Sequence, residues 1–331
     1  MSISAVQQIC CRTCLFVLAI FSDTFRLDAQ ENINFLPGPL PVVFGPGNIS
    51  DGFNNRDLAL SPDNSEMFFT IQSANAIGFS AILHSRRKGK RWTKPEVAIF
   101  SGVSSDLEPA FSPDGRQLFF SSNRPGAGTP DSLKDYNIWV INRTNDGWSP
   151  PVSCGPLINT VKNEFYPSVT SGGRLYFTRE TDDAKDDIFY SQKNNAGYAA
   201  AVRAPAINSD GFDFNAYVDP QERFILFSSY HRTDDLGGGD LYVSLRNDSS
   251  WSVPRHLEAP VSSAALDYSP FVSFDGRLFF FTSRRTATME NKPEKYRLDT
   301  LHHWFSSPGN GSDDIYFMSF DELSHNWQLK N

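Results

Sequence analysis

Little in this chain is suited to cross-linking, to binding polyanions or to crossing a membrane. Only four of its 331 residues are cysteine, and Cys10, Cys11 and Cys14 lie near the N-terminus. Cys154 stands alone in the rest, which excludes an intrachain disulfide framework there. Basic residues number 30 against 38 acidic ones, for a formal net charge of −8. They are scattered except for Arg86-Arg87-Lys88-Gly89-Lys90-Arg91, where a hairpin turn is expected. Nucleic acid is therefore excluded as a partner class, because phosphate binding needs concentrated positive charge. Methionine is scarce at 4 against 28 phenylalanines, a balance that suits β-sheet packing. The longest continuous apolar run, Leu15 to Phe21, is too short to span a bilayer.

That run follows Arg12 and leads into a more polar stretch ending at Ala29. Residues 1–29 are expected to be a secretory signal peptide, cut after Ser22 or Ala29. The three clustered cysteines precede or open the apolar run, so they form no lipoprotein signal, whose cysteine would follow it. The expected product is a periplasmic or secreted domain covering residues 30–331, monomeric and without a transmembrane segment.

What the chain does have is repetition. A polar turn followed by a hydrophobic strand returns about every 50 residues, first as Ser61-Pro62-Asp63-Asn64-Ser65-Glu66-Met67-Phe68-Phe69. It recurs as Ser112-Pro113-Asp114-Gly115-Arg116-Gln117-Leu118-Phe119-Phe120 and Ser171-Gly172-Gly173-Arg174-Leu175-Tyr176-Phe177. The last copies begin at Asp219-Pro220 and Ser273-Phe274-Asp275-Gly276. Periods of this length mean solenoids, propellers or arrays. Each turn and strand is followed by a second strand such as Asn137-Ile138-Trp139-Val140 or Asp240-Leu241-Tyr242-Val243. Ten residues after its Ile or Leu stands an aromatic, Trp92, Trp148, Tyr198 or Trp251; in the fifth copy Trp327 follows by twelve. Each unit thus holds four short strands, the content of one propeller blade. Runs such as Leu118-Phe119-Phe120 are apolar on both faces, as blades packed face to face require.

The fifth unit ends too close to the C-terminus to supply its own outer strand. Pro41-Val42-Val43-Phe44-Gly45-Pro46 matches the outer-strand segment Pro151 to Pro156. An all-β, five-bladed propeller of four-stranded antiparallel blades is predicted, with the N-terminal strand completing the last blade. Closure of this kind removes the exposed sheet edges that invite aggregation.

The signature Pro109-Ala110-Phe111-Ser112-Pro113-Asp114-Gly115-Arg116-Gln117-Leu118-Phe119-Phe120-Ser121-Ser122-Asn123-Arg124, followed by Asn137-Ile138-Trp139-Val140, resembles the TolB-like (WD40-like) β-propeller repeat. The resemblance covers roughly residues 40 to 327. It implies a propeller in an exported bacterial protein and, as in family members, a protein-binding or ligand-binding platform. TolB itself carries an additional N-terminal α/β domain and more blades, so its envelope role is not carried over, and no room is expected here for the α/β-hydrolase domain of propeller-bearing peptidases. Nor does this chain carry the G-x-S-x-G nucleophile elbow of those peptidases.

A polar residue recurs just before each inner strand: Asn55, Asp106, Glu164, Asp213 and Asp267. At one mouth of a central channel, Asp106, Glu164, Asp213 and Asp267 would form an acidic ring able to take a polyhydroxylated ligand or Ca²⁺. The competing reading is that each side chain caps its own loop. Arg124, Arg179, Arg232 and Arg284 follow the second strands, and Asp187, Asp240 and Asp314 open the third; these are expected to pair within each blade. The repeated aromatics are expected to be packing.

Non-repeated loops are the better functional candidates, above all the insertion 284–313 with Leu301-His302-His303-Trp304-Phe305. His302, His303 and Trp304 in this insertion, with His231 and Asp234 in the loop 231–239 expected on the same face, are candidate loop-face residues, and a transition-metal site is one candidate chemistry. No catalytic residue and no required cofactor is read from the sequence. The expected function is an exported, non-catalytic binding protein using its loop-rich face for a protein or glycan. The alternative is a carbohydrate-active hydrolase or lyase working through carboxylates at the channel mouth.

Overall fold

The computed structural model of the protein describes residues 37–74, 78–126, 135–248, 250–287, 295–327 and 329. The expected signal peptide, with Cys10, Cys11 and Cys14, and the Lys292-Pro293-Glu294 part of the insertion lie outside the described residues.

Five antiparallel sheets form a five-bladed β-propeller. Their innermost strands are Asn54–Leu60, Asp106–Phe111, Glu164–Val169, Phe212–Val218 and Asp267–Val272 for blades one to five. The second strands bury almost every side chain: Leu118, Phe119 and Phe120, or Phe279, Phe280 and Phe281, are inaccessible to solvent. Burial on both faces explains why these runs are continuously apolar rather than alternating. Short outer strands such as Val152–Ser153 and Val202–Arg203 complete the first four blades.

Blade five is completed by the N-terminal strand, Val42–Val43, with Val42 paired to Phe317 and Val43 to Tyr316. Phe44 follows it into the core, edge-on to Phe280 and Phe317 at 5.2 and 5.1 Å. Trp148 packs between blades against Phe68 and Phe111, as the repeated aromatics were expected to do. Trp327 differs from the other copies. A short helix, Phe320–Ser324, replaces the outward hairpin, and the indole packs against Phe224 and Phe320.

Each innermost strand also carries a bulge, where the register with its neighbour shifts. The bulged residues are Asp57, Glu108, Tyr166, Asn215 and Ser269, all with φ between 46° and 59°. A side chain in this left-handed region costs roughly 1–2 kcal/mol. Bonds from the preceding blade offset that cost. The N–H of Glu108 donates to Thr70 Oγ1 at 3.0 Å, that of Asn215 to Thr178 Oγ1 at 2.9 Å and that of Asp57 to Thr282 Oγ1 at 3.2 Å. Thr70, Thr178 and Thr282 hold the same place in their second strands, so this stitch is part of the repeat.

Candidate functional site

The inner strands start on the face that carries the long loops, and their first residues surround the channel there. Side chains on a strand alternate between faces, and this alternation separates two sets of residues. Asp106, Glu164, Asp213 and Asp267 are all fully buried. The residues just after them, Leu107, Phe165, Phe214 and Tyr268, line the central cavity instead, joined in blade one by Arg56.

The four carboxylates are occupied by their own blades. Ser101 Oγ donates to Asp106 at 2.8 Å and Thr160 Oγ1 to Glu164 at 2.7 Å; Ser209 Oγ and Ser263 Oγ do the same for Asp213 and Asp267. Against each lies a guanidinium: Arg124 at 2.6 Å, Arg179 at 2.9 Å, Arg232 at 2.6 Å and Arg285 at 2.7 Å. Every one of these arginines also donates to a carbonyl of the inter-blade loop, Phe100, Ile158, Ile207 or Val261. The acidic ring at the mouth is therefore replaced by four closed loop clamps, the self-capping alternative. Burial raises the carboxyl pKa of Glu164 despite its Thr160 and Arg179 partners.

The expected pairing of these arginines with Asp187, Asp240 and Asp314 also needs correction. Asp187 pairs with Arg203 at 2.6 Å and Asp240 with His256 at 2.9 Å, while Asp314 accepts the N–H of Gly309. In blade five Arg285, not Arg284, makes the clamp; Arg284 binds Asp313 at 2.7 Å. Arg285 stands two residues beyond Ser283, the strand partner of Asp267, just as Arg124 stands two beyond Ser122, the partner of Asp106.

The central cavity, about 360 Å³, is the structure's candidate site. Its walls are aromatic: Tyr136 and Phe165 lie 5.1 Å apart on one side, and Phe214 stacks on Tyr230 at 5.3 Å on another. Tyr268 sits beneath the Arg56 guanidinium at 4.9 Å. Below, the channel is shut. Pro109, Pro167, Tyr217 and Phe271 leave only about 30 Å³, room for roughly one water. The Tyr166 hydroxyl crosses it to donate to the carbonyl of Pro270 at 2.9 Å. The cavity is a blind funnel, not a pore.

Its charged groups are largely spent on one another. Arg56 spans Asp57 at 2.7 Å and Glu108 at 3.0 Å, and donates to Gln72 at 3.1 Å. Glu108 Oε2 accepts from the N–H of Tyr166 at 2.7 Å and from Ser121 Oγ at 3.2 Å. Burial first, then the neighbouring Asp57, pushes the Glu108 carboxyl up to about 8 against the pull of Arg56. Asp186 differs. It lines the funnel directly across the strand pair from Glu180, and no side-chain partner among the described residues reaches its carboxyl. Burial and then the charges of Glu180 and Asp187 raise it to about 6.

The loop-face candidates do not converge. His231 and Asp234 line a second cavity nearer the rim, where Asp234 accepts the Tyr242 hydroxyl at 2.8 Å. His302 and His303 lie on the helix Leu298–Phe305, which has no buried residue. Trp304 stacks on Tyr296 at 6.0 Å, while Phe305 is largely exposed instead of packing over the blade. Among the described residues no three His, Cys, Asp or Glu side chains gather as metal ligands would. Burial drives the Cys154 thiol up to about 12, well above the range of activated thiols.

No protein-family model matches the sequence. A search of curated proteins likewise finds no match. Among solved structures, one assigned to TolB from Agrobacterium tumefaciens aligns with a TM-score of 0.50 at 16% identity, over 81% of this chain and 90% of that one. This is a TolB-like propeller fold. TolB from Acinetobacter baumannii aligns at 0.45 and 13% identity over 80% of this chain, which spans only 54% of that protein. An α-L-arabinofuranosidase from Podospora anserina, in complex with cellotriose, aligns at 0.47 and 11% identity over 88% and 97% of the two chains. At such identities the likeness is one of fold, and fold does not fix function. No described helix is long and apolar enough to cross a membrane.

Proposed function

We propose that this protein is an exported, non-catalytic binding protein that takes a carbohydrate in the blind funnel. The observation that carries the reading is the funnel's wall: aromatic rings beside polar and largely ion-paired groups, above a closed floor. Flat rings offer apolar surface to the C–H faces of a sugar, while a few convergent polar groups fix its orientation. A peptide ligand fits less well. Peptide recognition uses an exposed sheet edge or an extended apolar groove, and the closed ring offers no inner edge.

Hydrolysis is the second reading, supported by Asp186, whose raised carboxyl suits general acid–base work. It lacks a partner in the funnel: glycoside cleavage needs two carboxyls, both oxygens of Glu108 are already bonded, and Glu180 accepts from Asn163 at 2.6 Å and does not line the cavity. Screening on an array of neutral and acidic oligosaccharides, followed by calorimetry, tests the reading. Retention of a saccharide, weakened about tenfold by Phe214→Ala, is expected. An array on which nothing is retained would overturn it. Cleavage of the retained saccharide, abolished by Asp186→Asn, would replace binding with hydrolysis.

A further inference from the structure

The second cavity, about 450 Å³, opens on the same loop-bearing face between blades three and four. Phe212 and His231 line it, whereas Phe214 and Tyr230 line the funnel. These four rings are in contact. Phe214 stacks on Tyr230 at 5.3 Å; Phe212 meets Tyr230 edge-on at 6.2 Å and His231 at 6.0 Å. Strand alternation puts Phe212 and Phe214 on one face, about 7 Å apart, with Tyr230 directly opposite Phe212. The result is a continuous aromatic ledge from the funnel to the rim.

Two glycines hold the ledge in place. A Cβ on Gly211 would run into the Tyr230 carbonyl oxygen, so only glycine lets this loop press against the backbone that carries Tyr230. A Cβ on Gly239, whose φ is +115°, would lie 2.5 Å from the Tyr230 ring itself. The ledge is therefore a consequence of close backbone approach. Beside it the polar groups change character: Lys185 donates to the Asp210 carbonyl at 2.7 Å, leaving the exposed Asp210 carboxylate and the His231 ring at the outer end.

We infer that the two cavities are one extended site, and that its ligand is a linear oligosaccharide. One terminal sugar enters the closed funnel, and the following units run over the Phe214–Tyr230–Phe212–His231 ledge into the rim cavity. A blind funnel accepts a chain end, and a ledge leading out of it accepts what is attached to that end. This inference rests on the carbohydrate reading of the funnel and adds length and direction to it.

The test uses the saccharide retained on the array, as its series from monomer to tetramer, titrated into the full protein. Affinity should rise about tenfold or more from monomer to tetramer, one or two aromatic contacts' worth. Phe212→Ala and the exposed-site variant His231→Ala should each cut tetramer affinity towards that of the monomer and leave monomer affinity unchanged. Phe214→Ala should weaken both. Equal affinity of monomer and tetramer in the unaltered protein, or loss of monomer binding in His231→Ala, would overturn the extended site while sparing the funnel. No binding by any member would remove the carbohydrate reading and this inference with it.

Discussion

Glu108 shows how one residue can be recruited from a repeat to serve the ring. At its position the other blades carry Asp57, Tyr166, Asn215 and Ser269, residues with nothing in common except their bulged, left-handed backbone. Glu108 accepts the N–H of the next bulge at Tyr166, while Asn215 Nδ2 donates to Ser269 Oγ at 2.8 Å and Ser269 Oγ to Asp57 at 2.6 Å. The Glu108 carboxyl titrates near 8 in the folded protein, against about 4.3 in an unfolded chain. The folded state therefore holds a proton that the unfolded state releases between those values. Stability from this group is complete below about pH 4, is lost as pH rises, and levels off above about 8. The urea midpoint of the unaltered protein should fall from pH 5 to pH 8. Glu108→Gln, which stays neutral throughout, should show a smaller fall over that range. An equal fall in the two proteins would show that Glu108 is ionised in the fold.

At the scale of the element, the loop clamp is the blade's most regular device. In blades two to five, aspartate or glutamate at the head of the inner strand ties its own inter-blade loop, and an arginine at or just beyond the end of the second strand binds both. The same guanidiniums lie over apolar rings, Arg124 over Phe120 at 4.8 Å and Arg232 over Phe227 at 5.2 Å, so each clamp also roofs the core. Asp213 is fully buried beneath Arg232, whose side chain is 16% exposed. Asp213→Ala should destabilise the protein by about 3 kcal/mol or more, since removing one partner strands a largely buried charge. Denaturant unfolding measures this directly. A change under about 1 kcal/mol would mean that water replaces the carboxylate. Because the loop 204–211 also carries Gly211, saccharide binding at the ledge should weaken in the same variant.

These clamps also explain what could be read from the sequence. The turn signals and doubly apolar strands announced the blades, and the shared polar residues marked loop chemistry. The channel wall was hidden one position further on, in Leu107, Phe165, Phe214 and Tyr268, which do not share a residue type. A period of two turns an error of a single residue into the opposite face. The bulges were invisible for a similar reason: the left-handed conformation is usually signalled by glycine, and here five other residues adopt it. Asp186, the funnel's available carboxyl, sits beside the repeated Asp187 and carried no signal of its own.

For the molecule as a whole, stability depends on the ring being closed, and the closure was legible because residues 41–46 copy an outer strand. Only Val42–Val43 form the ladder with blade five, but the segment also delivers Phe44 and Ile49 to the core. Ser50 continues the attachment, its N–H-free side chain exchanging bonds with Ile315: Oγ donates to the carbonyl at 3.4 Å and accepts from the N–H at 3.1 Å. A chain beginning at Asp51 would expose the edge of Asp314–Ser319, a strand whose side chains are all buried in the intact protein. Unpaired, buried-type edges recruit other strands. Such a chain should be recovered as larger soluble oligomers or aggregate by light scattering, whereas a peptide spanning 37–50 added in excess should restore the size of the intact protein. A shortened chain that stayed monomeric and kept its midpoint would mean that blade five is stable with three strands. The same comparison separates fold from function. The funnel is lined from all five blades, so opening the ring should abolish saccharide binding, and the peptide that recloses it should return both together.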